Sequence, residues 1–371
     1  MKITLQFDPC ATIHISQVLV GFALLAKQGA CSLQQERGAL PQDFGHNQLV
    51  LARLADGTAL AFDTHDAGEL HVPPADFDAA MERLQIRAYF RRSLRAGAYD
   101  ASAYVQRQRP LGLNYHVSCP ANPYNHIALR DLPGGLKDPL ARHNLLRKGL
   151  ARLPVGRLSD RQFYPERFAR AAAHPLGETI LFLTRTWFPL EEHDPACTPA
   201  GLDRLLREMP SLAGILQMDE TRAALIRLLR KEYGDRALAG FARNRFTEMR
   251  FPDLIAPAAN TRRGAYLQTM QRAAVCLTTV GLHRSTGWKM GEYVAAAQAI
   301  VCEPLWDTLP GDFAPQRNYL PFAAPEEALR QTEYLLANPD FARQMRQNNA
   351  AYYEAHLRPE RLVGNALAGY A

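Results

Sequence analysis

Residues 274–304 read A-V-C-L-T-T-V-G-L-H-R-S-T-G-W-K-M-G-E-Y-V-A-A-A-Q-A-I-V-C-E-P: an apolar run, a polar stretch bounded by glycines, a helix-like stretch from Trp288, and a second apolar run. His283, Arg284, Ser285, Thr286, Gly287 and Lys289 gather hydrogen-bond donors and positive charge where that helix begins. A helix start offers unpaired N–H groups and the positive end of the dipole, so it favours anions. Arg284 and Lys289 add charge-assisted bonds, and a diphosphate suits the whole. Glu292, one turn further on, can accept two hydrogen bonds from vicinal hydroxyls such as those of a ribose. A strand, loop and helix built only for packing need none of this polar cluster.

A second constellation is Asp63-Thr64-His65-Asp66-Ala67-Gly68, directly after a strand-like run. The carboxyl end of a strand in an open α/β sheet faces the cleft. Asp63 or Asp66 there can take a proton from an acceptor hydroxyl, and His65 can orient or bind a sugar. The same residues can instead form an Asx turn or cap the next helix. Arg87, Arg91, Arg92 and Arg95 surround Tyr89-Phe90, as a solvated face beside a buried strand or as steering charge for an anionic acceptor. His14 reads as a structural histidine, Arg222 as a phosphate contact or a salt-bridge partner, and Arg243 and Arg245 as solvated loop arginines.

The elements around these residues alternate. Strands are expected at 3–7, 31–35, 48–54, 58–62, 86–90 and 111–117, with helices at 13–27 and 76–84 and a turn at Ala55-Asp56-Gly57. Residues 118–154 are rich in Pro, Asn and Gly and read as connecting structure, followed by a helical approach over 164–173. From 178 a clearer parallel-sheet rhythm begins: strands at 178–186, 236–241, 274–279 and 299–301, and helices at 221–233, 263–272 and 288–297. Helices at 325–338, 339–356 and 359–370 close the chain. Two α/β domains with mostly parallel sheets, meeting near residue 160 across a ligand cleft, follow from this order.

Length and composition agree. At 371 residues, 47% hydrophobic and 22% charged, the chain is too long for one modest core. A net charge of +6 favours anionic partners, but the basic residues are interspersed with acids and carry no nucleic-acid reading motif, so no nucleic-acid partner is expected. Six scattered cysteines without a C-x-x-C pair fit reduced thiols. Lys2–Asp8 reads as a strand rather than a leader, and the longest apolar run, Val18–Ala26, is short of the roughly 20 residues that span a bilayer. A cytoplasmic protein is expected, at most associated with the inner face of the membrane.

The segment from Gly291-Glu292-Tyr293 to Ala299-Ile300-Val301 resembles the donor-binding loop and helix of group 1 glycosyltransferases of the two-domain GT-B fold. Leu181-Phe182-Leu183-Thr184-Arg185 is similar to the opening strand of that family's donor domain, and Arg317–Phe322 followed by Pro325–Leu329 is similar to a later strand and helix. The resemblance implies two Rossmann-like domains facing each other across a cleft. Residues 1–160 form the acceptor side with the connecting segment, 161–355 form the nucleotide-sugar side, and 356–371 form a helix packed back on the first domain. It also implies that Glu292 grips the donor ribose and that Arg185 reaches the diphosphate. Many members carry a glutamate eight positions before that residue, and here the position is Arg284. The implied activity is transfer of a sugar from a nucleotide-diphosphate sugar to a glycan, lipid-linked or protein acceptor in bacterial cell-surface glycan synthesis, with no metal cofactor. A silent nucleotide-sugar-binding protein, or a metal-dependent hydrolase built on Asp63, His65 and Asp66, are the alternatives.

Overall fold

A computed structural model describes residues 1–8, 11–36, 44–97, 100–125, 160–170, 172–174 and 177–370. Most of the connecting segment expected at 118–154 therefore lies outside the described residues.

The first sheet contains β1 (Lys2–Phe7), β2 (Ser32–Gln35), β3 (Leu49–Arg53), β4 (Ala59–Asp63), β5 (Ile86–Arg91) and β6 (Gln108–Pro110), in the spatial order β2-β1-β3-β4-β5-β6. It is mixed where a mostly parallel sheet was expected, because β3 runs antiparallel to both β1 and β4. The reason is local: Ala55-Asp56-Gly57 closes a tight hairpin, and a parallel pair would need a crossover of a dozen or more residues. Alternate side chains face opposite layers. Phe62 and Phe90 stack on the side of α1 (Ser16–Lys27), where Phe22 meets Phe62 edge-on, and Tyr89 points the other way to Phe77 of α2 (Pro74–Arg83).

The second sheet is wholly parallel: β7 (Ile180–Thr184), β8 (Ala237–Phe241), β9 (Val275–Thr278), β10 (Ile300–Cys302) and β11 (Leu320–Pro321), ordered β11-β10-β9-β7-β8. Its α-helices longer than four residues are α3 (Pro199–Glu208), α4 (Ala213–Tyr233), α5 (Arg245–Arg250), α6 (Arg263–Arg272), α7 (Trp288–Ala295), α8 (Pro325–Ala337) and α9 (Pro339–Tyr352). Along β7, Ile180 and Phe182 enter the core beneath α4 and α8, while Leu181 and Leu183 enter a second core shared with α6, α7 and the first domain. Helices α3 and α5 were not expected from the sequence. Thr198 caps α3 by accepting Gly201 N–H at 3.0 Å, and Asn244 caps α5 by accepting Thr247 N–H at 2.7 Å.

Two expectations are corrected between the sheets. Residues 111–117 form no strand. Leu113, Tyr115 and Val117 are buried between the two domains, and Tyr115 N–H donates to Gln17 Oε1 (3.3 Å) instead of to a neighbouring strand. The helix expected at 164–173 is two short 3₁₀ turns, Arg161–Phe163 and Pro165–Arg167. Pro165 supplies no N–H, so a helix cannot run through it from 161 without losing a bond.

After α9 a π-helical turn (Tyr353–Leu357) redirects the chain, and α10 (Pro359–Ala368) lies against α1 of the first domain. Leu362, Val363, Ala366 and Leu367 belong to that domain's core. The two helices touch at Gly21, where an added Cβ would sit 2.3 Å from the Pro359 carbonyl oxygen and 2.5 Å from Val363 Cγ2. Gly21→Ala is therefore expected to cost about 1–3 kcal/mol, the range for overpacking a tight contact. The expected readout is a lowered thermal midpoint with earlier proteolytic release of α10, and an unchanged midpoint would show that α10 docks loosely. Among the described residues no helix is long and apolar enough to cross a membrane.

Candidate functional site

In a doubly wound sheet the crevice opens at the carboxyl ends of the strands where the order reverses. In the second sheet that point lies between β7 and β9, so the segments 185–188 and 279–287 flank it. Arg222, buried at 2% exposure on α4, ties the two flanks together. Its Nη1 donates to Arg185 O (3.1 Å), its Nε to Thr279 Oγ1 (2.9 Å) and its Nη2 to Val280 O (2.7 Å). Asp219, one turn earlier and fully buried, accepts the N–H groups of Trp187 and Phe188 and lies 3.6 Å from Arg222. Burial raises the Asp219 carboxyl to about 6 against the pull of those donors and Arg222. Glu303, at the end of β10, accepts Val280 N–H at 2.8 Å. The crevice walls are thus fixed from behind by buried charge, and Arg185 is left exposed with its guanidinium stacked 3.6 Å over the Trp187 ring.

The loop between β9 and α7 is gripped by the first domain. Arg92 Nη2 donates to Thr286 O at 2.5 Å, Arg95 donates to His283 O, and Arg95 Nε pairs with Asp307 at 3.2 Å. Asp307 in turn accepts the N–H and hydroxyl of Thr286 (3.1 and 2.8 Å). His283 and Arg284 both hold left-handed backbone, with φ of 58° and 56°, and strain of this kind persists only where its surroundings over-determine it. Ser285 and Thr286 are buried, Gly287 caps α7, and Arg284 stacks on Trp306 at 4.2 Å. Of the arginines around Tyr89-Phe90, Arg92 and Arg95 are therefore interdomain anchors. Arg91 is buried against Asp63 and the carbonyls of Ala67 and Glu69.

Asp63 ends β4 and His65 and Asp66 follow it, and the three occupy different environments. The Asp63 carboxylate is fully buried: it accepts from Tyr89 Oη (3.0 Å) and the N–H of His65 (2.8 Å), with Arg91 and His46 at 3.4 and 3.5 Å. Burial alone would raise its pKa, but His46, Arg91 and these donors prevail and hold it well below the usual carboxylate range. It anchors the loop from beneath. Asp66 is the open one, with its side chain 34% exposed and paired with Arg92. Desolvation of the Arg185 guanidinium, stacked on Trp187, lowers it, and the charge of Asp66 opposes this. His14 sits on the same wall, edge-on to Trp288 of α7 at 4.8 Å, and burial with Arg92 pushes it down to about 4 against Asp66. The structural histidine of the sequence thus stands at the cleft.

His65 joins two histidines that the sequence did not single out. His46 stacks on it (4.8 Å), and His71 meets it edge-on with Nε2 2.8 Å from His65 Nδ1. Ala67 N–H also donates to that Nδ1 (3.1 Å), so the neutral ring carries its proton on Nε2 and His71 must be the donor. Burial and His46 bring His65 down to about 4, with Asp63 opposing. A histidine with a depressed folded pKa takes up protons more readily when unfolded, so its contribution to stability falls as pH drops from about 6.5 to about 4. The urea midpoint of His65→Gln should accordingly depend less on pH in this window than the wild type. Equal slopes would mean that His65 is charged in the fold.

Glu292 and Lys289 face α6 more than the cleft. Glu292 is buried, with one oxygen accepting Arg263 Nη1 (2.8 Å) and the other Tyr266 Oη (2.7 Å), and Lys289 Nζ lies 4.4 Å from the Tyr266 ring centre. A ribose would have to replace one of these partners. Arg243 pairs with Glu248 in the open, as a solvated arginine does. The only D-x-D triplet, Asp76-Phe77-Asp78, is structural in this fold. Phe77 is in the core and Asp78 accepts from Ser102 Oγ and Ala103 N–H. Among the described residues no group of three His, Cys, Asp or Glu could hold a metal ion, so Asp63, His65 and Asp66 do not converge as a ligand set. Five described cysteines, Cys31, Cys119, Cys197, Cys276 and Cys302, are free and buried.

Residues 217–367 match the glycosyl transferase-like family, a span that includes Arg222, the 279–287 loop, α7 and most of α10. Among solved structures, one described as a UDP-N-acetylglucosamine 2-epimerase from Listeria monocytogenes is similar at 11% identity and a TM-score of 0.37, covering 99% of this chain and 94% of that one. No curated protein matches the chain.

Proposed function

We propose, for a chain whose residues 217–367 are glycosyl transferase-like, that it transfers a sugar from a nucleotide-diphosphate sugar to a hydroxyl acceptor in the cleft between its two sheets. The observation that carries this reading is that Arg92 joins Asp66 of the first domain to the Thr286 carbonyl beside the amino end of α7, at the β7/β9 crevice. The acceptor O–H attacks the anomeric carbon and gives its proton to Asp66. The bond from that carbon to the diphosphate oxygen breaks, and the charge gathering on the diphosphate is met by Arg185 and the amino end of α7. These fixed charges serve without a metal. His65, with its proton on Nε2, is a hydrogen-bond donor toward sugar or acceptor rather than the base. Arg92 and Arg95 hold the 283–286 loop in place while water is excluded. Glu292 takes the donor ribose once Tyr266 or Arg263 yields to it.

By family resemblance the acceptor belongs to bacterial cell-surface glycan synthesis, met at the cytoplasmic face of the membrane. The test is calorimetry and thermal shift with UDP, GDP, dTDP and CMP, with and without magnesium. The expected result is one nucleoside diphosphate that raises the melting temperature without magnesium by binding only the folded state, with binding weakened at least about tenfold in Arg185→Ala. No shift with any nucleotide would sink the reading. Binding without turnover over a broad acceptor panel would favour a silent binding protein.

A further inference from the structure

A cavity of about 380 Å³ lies away from the cleft, where the edge of the first sheet, a loop of the second domain and the returning C-terminal segment meet. Its floor is apolar: Phe90 of β5, Leu111 beyond β6, and Leu362 and Ala366 of α10. Pro110 and Pro310 form its walls, and Arg109, His356 and Asn365 supply its polar groups. No acidic side chain lines it. Its size falls in the roughly 300–1,000 Å³ range of small-molecule sites. The second domain closes one side through contacts distinct from those of the cleft: Thr308 N–H donates to Leu94 O (2.7 Å), and Pro310 packs where a Cβ on Gly112 would lie 3.2 Å away.

Two features show that this wall is built. The π turn Tyr353–Leu357 inserts an extra residue into the end of the α9 helix and carries Ala355 and His356 into the lining; π turns are rare and gather at functional sites. His356 fits there only because residue 311 lacks a side chain, since a Cβ on Gly311 would fall 2.4 Å from His356 Nε2. Arg109 spends one guanidinium nitrogen on the carbonyls of Gln106 (2.6 Å) and Gln108 (2.7 Å), which orients the rest of the group at the rim. Asn365 Nδ2 donates to Ala355 O (2.7 Å), leaving its carbonyl oxygen as the acceptor at the rim.

We propose that this cavity is a second ligand site, taking a small amphipathic anion: a flat apolar body seated on Phe90, Leu111 and Leu362, with a carboxylate or phosphate held by Arg109 and His356. Because its walls come from both domains and from α10, the ligand binds the joined arrangement and stabilises it. The site does not depend on the sugar-transfer reading, and the nucleotide cleft can be intact while it fails.

The test is isothermal titration of the full chain with 2-naphthoate as the anionic probe and 2-naphthol as its neutral counterpart. The expected result is saturable naphthoate binding that Arg109→Gln weakens about tenfold, the loss of one charge-assisted bond, and that Asn365→Trp removes by filling the cavity. Residue 365 is exposed, so this variant should keep the wild-type melting temperature. A second variant, His356→Ala, removes the ring from the lining and should also weaken naphthoate. Naphthoate binding unchanged in Asn365→Trp, or no binding to the wild type, would overturn the proposal. Naphthol binding as tight as naphthoate would overturn its anionic half.

Discussion

Asp66→Asn is expected to lower turnover by about 10²–10⁴-fold, the usual span for a positioned general base, while nucleotide affinity stays close to wild type. The two effects separate because asparagine keeps an oxygen for Arg92 and so preserves the anchor from Arg92 to Thr286 O. What it loses is the ability to take a proton from the acceptor. Asp63→Asn should behave differently. It leaves Arg91 without its buried carboxylate and should appear as lost stability first. Initial rates of nucleotide release with a working acceptor, set beside the nucleotide Kd, distinguish the two. Full turnover by Asp66→Asn would move the base elsewhere on the cleft wall, to a group such as His14 beside Trp288.

The largest expected cost to the fold is at Arg222. Arg222→Ala removes three hydrogen bonds and strands Asp219 fully buried without its cation, a loss of about 3–5 kcal/mol by comparison with other broken buried pairs. Arg222→Lys keeps a charge but cannot serve Arg185 O, Thr279 Oγ1 and Val280 O from one planar fork, so it should fall between. Urea unfolding measures this, and a midpoint unchanged in the alanine variant would refute the clamp. Nucleotide binding should fail along with stability, because the carbonyl of Arg185 and the start of the 279–287 loop are the two flanks that Arg222 joins.

Most of the parallel half of the fold was legible because its strands and longer helices carry their own period, from the apolar run at Ile180 to the helix start at Trp288, while α3 and α5 were not. The antiparallel pairing of β3 with β4 follows from the Ala55-Asp56-Gly57 turn, which is too short for the crossover a parallel pair needs. Residues 111–117 misled because alternation signals a face buried on one side and solvated on the other; with a domain on each side, the same residues pack without a ladder. Side-chain environment was the harder problem. Asp63 and Asp66 are three positions apart and look alike as letters, but one lies beneath the loop with Tyr89 and Arg91 and the other is partly open and pairs with Arg92. Arg92 and Arg95 read as surface charge because their partners, Thr286, His283 and Asp307, are about 190 to 210 residues away in the chain, a separation no local pattern reveals. Glu292 was placed on the right helix, but its closure by Tyr266 and Arg263 depends on how α6 packs.

The return of α10 to α1 also sets an order of events during synthesis. The first domain emerges first, yet Leu362, Val363, Ala366 and Leu367 are part of its core. Until those residues leave the ribosome, α1 presents an apolar groove at Gly21 with nothing in it, and the chain carries exposed surface of the kind that chaperones bind. The contacts that close this groove span almost the whole sequence, so they should form late. Anyone wishing to produce the first domain alone would need to supply residues 359–368 as well, by fusion or as a separate peptide.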